Sequence, residues 1–185
     1  MLLDINEDFK LVYDLSIEIE RDPSFMHLVQ QVTLDPNKPH VGLKGNLGLY
    51  GSELWWENIK NKVMKTNIIR GVIKRCYKAG QDSQDSVNSF ELILPDGRTW
   101  NESIYTNNRK DINLFKIGHE VIIFYAHDEI KPSNGINEQI RYADTVIEMA
   151  ISKNVVMGYA DKSRFVRFLM SLRLLKTKIW KKVVW

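Results

Sequence analysis

The sequence predicts an α+β fold: a small, highly bent five-stranded β-barrel or open antiparallel sheet of the OB or SH3-like kind, flanked by helices. Three observations predict it. Residues 66–153 contain five β-prone runs separated by turn-rich loops. The segment before them is acidic and indicates helices, and the segment after them is a basic amphipathic helix. We therefore expect an acidic helical segment at 1–65 that packs on the barrel, the barrel core at 66–153, and a C-terminal helix at 154–185.

The N-terminal segment is acidic, because residues 1–36 carry eight acids and two cations, a net charge of −6. A first helix is favoured because four apolar residues recur at helical spacing: Phe9, Val12, Tyr13 and Ile17. The run Leu15–Ile19 alternates as a strand would, which is the competing interpretation. Asp22 and Pro23 then predict the start of a second helix, with Asp22 as its cap.

A third helix is predicted at 52–60, where Ser52 is a suitable cap, after a long irregular link at 35–51 that holds two Pro and four Gly. Trp55 and Trp56 are adjacent in it and point about 100° apart, so both cannot face one core surface directly. The sequence favours a packing role for one of them and a half-exposed position for the other. The alternative is an aromatic anchor for a partner.

The first predicted strand, 67–78, places Arg70, Lys74 and Lys78 on one face, while Gly71 marks a bulge or bend. A turn at 95–97 joins the second and third strands into a hairpin. Asp111 is expected to cap a single helical turn between the third and fourth strands. The other four predicted strands are 90–94, 98–106, 120–126 and 145–151.

The tail from Asp161 to Trp185 carries eight cations and one acid, a net charge of +7. Its apolar residues recur at three- and four-residue steps, as on one face of a helix. Four cations lie toward the opposite side: Arg164, Arg167, Lys178 and Lys182. Packing of this helix against the acidic N-terminal segment is favoured. Attachment to an anionic membrane or to a partner is the alternative.

No catalytic, cofactor-binding or metal-binding pattern is recognisable in the sequence. The four histidines, which include His119 and His127, match no metal-ligand motif, and Cys76 is the single cysteine. Cys76 therefore has no internal disulfide partner and favours a reducing compartment. The acidic start lacks the features of a signal peptide, and no uncharged apolar run reaches membrane-spanning length, so we expect a cytoplasmic protein.

Three functions remain open. The first is a non-catalytic cytosolic module that binds another protein, such as an immunity-type inhibitor of a bacterial toxin or effector. The second is a barrel that binds single-stranded nucleic acid through basic and aromatic side chains. The third is a peripheral membrane protein attached through residues 162–185. The candidate binding residues are Trp55, Trp56, Arg70, Lys74, Tyr77, Trp100, Tyr105, Arg164, Arg167, Lys178 and Lys182.

Overall fold

The computed structural model describes residues 1–80, 87–133 and 140–156. The helices are α1 (Leu15–Arg21), α2 (Ser24–Leu34), α3 (Glu53–Lys60) and a 3₁₀ helix (Arg109–Leu114). The strands are β1 (Phe9–Asp14), β2 (Lys65–Tyr77), β3 (Ser89–Ile93), β4 (Thr99–Ser103), β5 (Glu120–Glu129) and β6 (Tyr142–Ser152). Residues 157–185 of the predicted C-terminal helix lie outside the described residues.

The six strands form one antiparallel sheet in the order β1-β6-β5-β2-β3-β4. This confirms the α+β class and selects the open antiparallel sheet over the closed barrel. The sheet nevertheless curls, because the chain that leaves β4 returns to the free edge of β1. There, Asn107 donates its backbone N–H to the Val12 carbonyl (2.8 Å), and its side-chain oxygen accepts from the Asp14 N–H (2.7 Å).

The helix predicted around Phe9–Ile17 is wrong, because residues 9–14 form a strand and α1 begins at Leu15. The reason is a β-bulge. The β1–β6 register shifts between Leu11 and Tyr13, so that Val12 and Tyr13 are both buried. A bulge breaks the alternation of a strand and leaves apolar residues at spacings that resemble those of a helix.

The bulge in β2 lies after Gly71 and not at it, since the β2–β3 register shifts between Ile73 and Arg75. Gly71 has a different role. A Cβ on Gly71 would lie 2.7 Å from the Ile93 carbonyl oxygen and 3.0 Å from the Leu92 Cβ. The glycine therefore allows β3 to approach β2 closely.

The cap predicted at Asp111 is also wrong, because Asn108 caps the 3₁₀ helix by accepting from the Lys110 N–H. Asp111 is buried and accepts a hydrogen bond from Lys10 Nζ at 2.6 Å. It thus ties the 3₁₀ helix to β1.

The main core packs α3 against one face of the sheet. Trp55 and Ile59 from α3 join strand residues such as Ile73, Ile123 and Met149, all of them essentially inaccessible to solvent. A smaller cluster of Leu3, Ile122 and Ala150 lies on the opposite face, because neighbouring strand residues point to opposite sides. The buried Glu148 carboxylate holds the N-terminal segment there by accepting from the Leu2 and Leu3 N–H groups, both at 2.6 Å.

Candidate functional site

A groove of about 930 Å³ opens between the first two helices and the curled edge of the sheet. Its walls come from α1, α2, the link at 42–50, the segment 104–106 that follows β4, and the start of β6. Its lining is mostly apolar: Leu15, Ile19, Phe25, Met26, Leu28, Val29, Val32, Leu43, Ile104 and Val146. Concave apolar surfaces of this kind are where proteins commonly bind ligands and partners.

Three tyrosines, Tyr13, Tyr50 and Tyr105, line the groove. The rings of Tyr13 and Tyr105 lie 5.2 Å apart, and the Tyr50 ring packs edge-on against Phe25 at 6.2 Å. Burial raises the pKa of all three phenols, that of Tyr50 to about 12, so they stay protonated at neutral pH. Rigid rings that also carry a hydroxyl suit a binding surface, and Tyr is enriched at interface hot spots.

The helix α2 supplies one wall of the groove. It begins one residue later than predicted, with Pro23 at the cap position, while the Asp22 carboxylate accepts from the Ser24 N–H at 3.0 Å. Met26 and Val29 pack against the core. Phe25 and Leu28, one helical turn apart, are instead 63% and 55% exposed. The helix therefore leaves the larger part of these two apolar side chains exposed to solvent.

The rim of the groove is acidic. Glu18, Asp22 and Asp144 line it, and none of the described lining residues is Lys, Arg or His. Hydrogen bonds from the Ser24 hydroxyl and backbone N–H hold the pKa of the exposed Asp22 below its usual range, so it is ionised at neutral pH. Asn107 holds Glu18 in place by donating from Nδ2 at 2.7 Å, and the Arg21 guanidinium contacts the same carboxylate oxygen at 3.0 Å.

Asp144 lies 2.6 Å from Nδ1 of His127, while Nε2 of that ring is 3.0 Å from the Asn67 side-chain oxygen. Both ring nitrogens are therefore engaged, and neither faces a nucleophile. His119 is buried elsewhere, with Nδ1 against the Ser152 carbonyl oxygen at 2.8 Å. Across residues 1–80, 87–133 and 140–156, no cluster of three or more His, Cys, Asp or Glu could hold a metal ion.

Of the aromatic residues predicted as binding candidates, only Tyr105 lines the groove. Trp55 is fully buried and donates from Nε1 to the Asp128 carboxylate at 2.8 Å. Trp56 is half-buried and packs edge-on against the Trp55 ring. Trp100 is also half-buried and donates from Nε1 to the Tyr125 hydroxyl at 3.0 Å.

The predicted basic row on the first strand is largely paired with acids. Arg70 makes a two-point contact with Glu120, at 2.6 and 3.1 Å. Lys74 donates to Glu91 at 2.8 Å, and Arg75 donates to the same carboxylate. The pairing at Arg70 and Lys74 does not favour a nucleic-acid groove, which needs positive charge available to phosphates.

Of the remaining candidate binding residues, one lies among the described residues and four lie outside them. Tyr77 donates its hydroxyl to the Asn101 side-chain oxygen at 3.1 Å and stacks beneath the Arg75 guanidinium, away from the groove residues. Arg164, Arg167, Lys178 and Lys182 lie outside the described residues, and so does the membrane attachment predicted for them. Within the described ranges, no helix is long and apolar enough to cross a bilayer.

A comparison with protein-family models matches residues 9–152 of this chain to the family described as Immunity protein RhsI2. The chain belongs to the RhsI2 immunity protein family. No curated protein matches the chain. The span that matches the RhsI2 family includes all six strands and every lining residue of the groove, from Tyr13 to Val146. The basic tail lies beyond it.

The sequence did not predict the groove as a site. The available signals were the apolar residues of the second predicted helix and the acidity of residues 1–36; those apolar residues are Phe25, Met26, Val29 and Val32. Neither signal shows that the face stays open, because the opposite wall comes from segments more than seventy residues away in the chain.

Proposed function

We propose that this chain binds a bacterial protein toxin and neutralises it by occupying part of its surface, without catalysing a reaction. Membership of the RhsI2 immunity protein family carries this proposal, since the family description names an immunity protein. The groove supports it from the structural side: it is open, apolar and lined by tyrosines, as a protein-binding surface is.

A binding role also suits the titratable groups of the site. His127 has both ring nitrogens engaged, and Glu18 and Asp22 serve as hydrogen-bond acceptors for neighbouring groups. General acid–base catalysis needs a group whose proton-carrying atom faces the substrate. Glu18 and Asp22 instead fix the position of neighbouring groups and give the groove negative charge.

The proposal is tested by a growth assay. Toxin domains encoded in the source genome are expressed singly in a laboratory bacterium, with and without this chain. We expect one toxin to lose its growth inhibition when the chain is present, and we expect the two purified proteins to form a complex. If this chain relieves the inhibition caused by none of the toxins, the proposal is wrong.

The same complex distinguishes blocking from catalysis. The toxin is separated from the complex under denaturing conditions, its intact mass is measured, and its activity is assayed after refolding. We expect an unchanged mass and recovered activity, because a blocked surface is released on dissociation. A lasting mass change in a toxin exposed to this chain would show that the chain acts as an enzyme.

We also propose the cytoplasm as the place of action. The single cysteine, Cys76, is a free thiol, which is typical of proteins in a reducing compartment. Fractionation of the source cells tests this, and recovery of the chain in the periplasmic or secreted fraction would contradict it.

A further inference from the structure

We propose that the groove receives an apolar segment of the toxin that carries lysine or arginine residues on its flanks. This inference rests on the proposed function and names the surface and the partner chemistry for it. It assigns the contact to the face made by α1, α2 and the segment 104–106. The alternative surface is the strand bearing Arg70 and Lys74, whose cations are already paired with Glu120 and Glu91.

The apolar part of the inference comes from α2. Phe25 and Leu28 are more than half exposed although they flank a concave surface. A soluble protein gains by burying such side chains, roughly 25 cal/mol for each Å² of apolar surface removed from water. The partner segment must therefore insert apolar side chains between α2 and the tyrosine lining on the other side. Tyr105, itself partly exposed, can contact the same segment.

The charge part of the inference comes from the rim. Its three carboxylates belong to different elements, since Glu18 lies in α1, Asp22 precedes α2 and Asp144 lies in β6. Acids on several sides of the groove, with no cation among its described lining residues, favour positive flanks on the occupant. The two parts together define a segment with apolar residues in the middle and cations beside them.

The chain's own tail is the competing occupant, because residues 162–185 combine apolar residues with eight cations. The extent of the family match distinguishes between the toxin and the tail as occupants of the groove. Residues 9–152 contain all the lining of the groove, whereas the tail lies outside the matched span. Because the groove is built by the residues that match the family, we expect it to bind the toxin.

The apolar contact is tested with Phe25→Ser combined with Leu28→Ser in the full chain. The matched control is Val63→Ser with Ile117→Ser, two apolar residues of similar exposure away from the groove. The probe is the toxin found in the growth assay, and the readout is the dissociation constant. We expect the groove pair to weaken binding at least about tenfold, as for hot-spot side chains, and the control to change it less than about twofold.

The charge contact is tested with the triple variant Glu18→Gln, Asp22→Asn and Asp144→Asn. Each amide keeps a hydrogen-bond acceptor for its present partner while removing the charge. We expect the association rate to fall about threefold to tenfold at low salt, and the difference to shrink toward about 500 mM salt, where charges are screened. Asp96→Asn, a change at an exposed turn away from the groove, is the control.

The tail is tested with Arg164→Glu, Arg167→Glu, Lys178→Glu and Lys182→Glu together in the full chain. Unchanged toxin affinity supports the inference. Tighter toxin binding would mean that the tail competes for the groove, and it would overturn the assignment of the groove to the toxin. Sedimentation tests for a second copy of this chain as the occupant. If the parent chain sediments as a dimer and the Phe25→Ser, Leu28→Ser variant does not, the groove binds a second copy and its assignment to the toxin is wrong.

Two further outcomes separate this inference from the proposed function. If the toxin is neutralised and binds the groove variants as tightly as the parent, the groove assignment is wrong and the function stands. If no toxin is neutralised, a synthetic Leu/Lys peptide still tests the groove. We then expect it to bind the parent more tightly than the Phe25→Ser, Leu28→Ser variant. Equal binding to both would overturn the groove assignment.

Discussion

The helices α2 and α3 both carry apolar side chains, but they use them differently. In α3, Trp55 and Ile59 are at most 1% exposed and complete the main core. In α2, only Thr33 is buried, while Phe25 and Leu28 remain open beside the groove. The comparison teaches that apolar content alone does not separate structure from function. An apolar helix face that stays uncovered is a candidate surface for binding, whereas a buried one belongs to the core.

The largest expected loss of stability comes from a change in α3. Trp55→Ala removes a buried ring and also the hydrogen bond donor of the buried Asp128 carboxylate. We expect it to lower the free energy of unfolding by about 3–5 kcal/mol, as large-to-small core changes do. Urea unfolding measures this. The control is Phe25→Ala on α2, and a similar loss for both variants would contradict the division between the helices.

A second prediction compares two glycines of the link that both have positive φ. A Cβ on Gly48 would lie 2.6 Å from the Trp55 backbone nitrogen, whereas on Gly51 it would lie 2.7 Å from the Met26 sulfur. Both Gly→Ala changes carry the cost of the left-handed backbone. The Met26 side chain can move aside, whereas the Trp55 backbone cannot. We therefore expect Gly48→Ala to lower the free energy of unfolding by about 1–3 kcal/mol more than Gly51→Ala does. Equal unfolding midpoints would show that α3 is as adaptable as α2.

A third prediction concerns pH. Burial raises the pKa of the Asp128 carboxyl in the folded state, an effect that the Trp55 hydrogen bond only partly offsets. The stability contributed by the protonated form is fully present below about pH 4 and is lost as the pH rises through the folded-state pKa.

Asp128→Asn keeps an acceptor for Trp55 without the charge, so we expect its stability to decline less between pH 4 and 7 (roughly the range above the unfolded-state pKa) than that of the parent. Urea unfolding at several pH values measures the difference, with Asp96→Asn as the exposed control. Parallel pH profiles for the Asp128 variant and the parent would contradict the assignment of a buried, desolvated carboxyl beside α3.

The smallest expected effect is the stability change in the Phe25→Ser, Leu28→Ser variant. Because both side chains are mostly exposed, we expect the unfolding midpoint to move by no more than the equivalent of about 0.5 kcal/mol for each change. Thermal unfolding followed by circular dichroism checks this. A large loss would place α2 with α3 in the core and leave the groove without a binding role.

The sequence predicted most of the sheet because its signals are local. The strands near Phe90, Glu120 and Thr145 are runs of β-branched and aromatic residues, and Ser52 does cap α3 by accepting from the Trp55 N–H. The strand β1 was missed because a bulge at Val12 imitates helical spacing. Asp14, which caps α1 by accepting from the Ser16 N–H, was an available signal for the helix start.

The groove and the buried polar contacts could not be predicted in this way, because they join residues far apart in the chain. The side chain of Asn107 accepts a hydrogen bond from the Asp14 N–H at the end of β1, and the two residues are 93 positions apart in the chain. Asp111 pairs with Lys10 across 101 positions. No local pattern records such pairings. The sequence therefore indicated a protein-binding module and an acidic, apolar N-terminal segment, while the position of the proposed binding surface required the structure.

Hydrogen–deuterium exchange of the free chain and of its toxin complex tests the central claim most directly. In the free chain we expect α3 to be well protected and α2 to exchange faster. On complex formation we expect protection to increase at residues 24–34 and 104–106, with little change at 53–60. Protection gained along β2 around Arg70 and Lys74, with none on α2, would contradict the account.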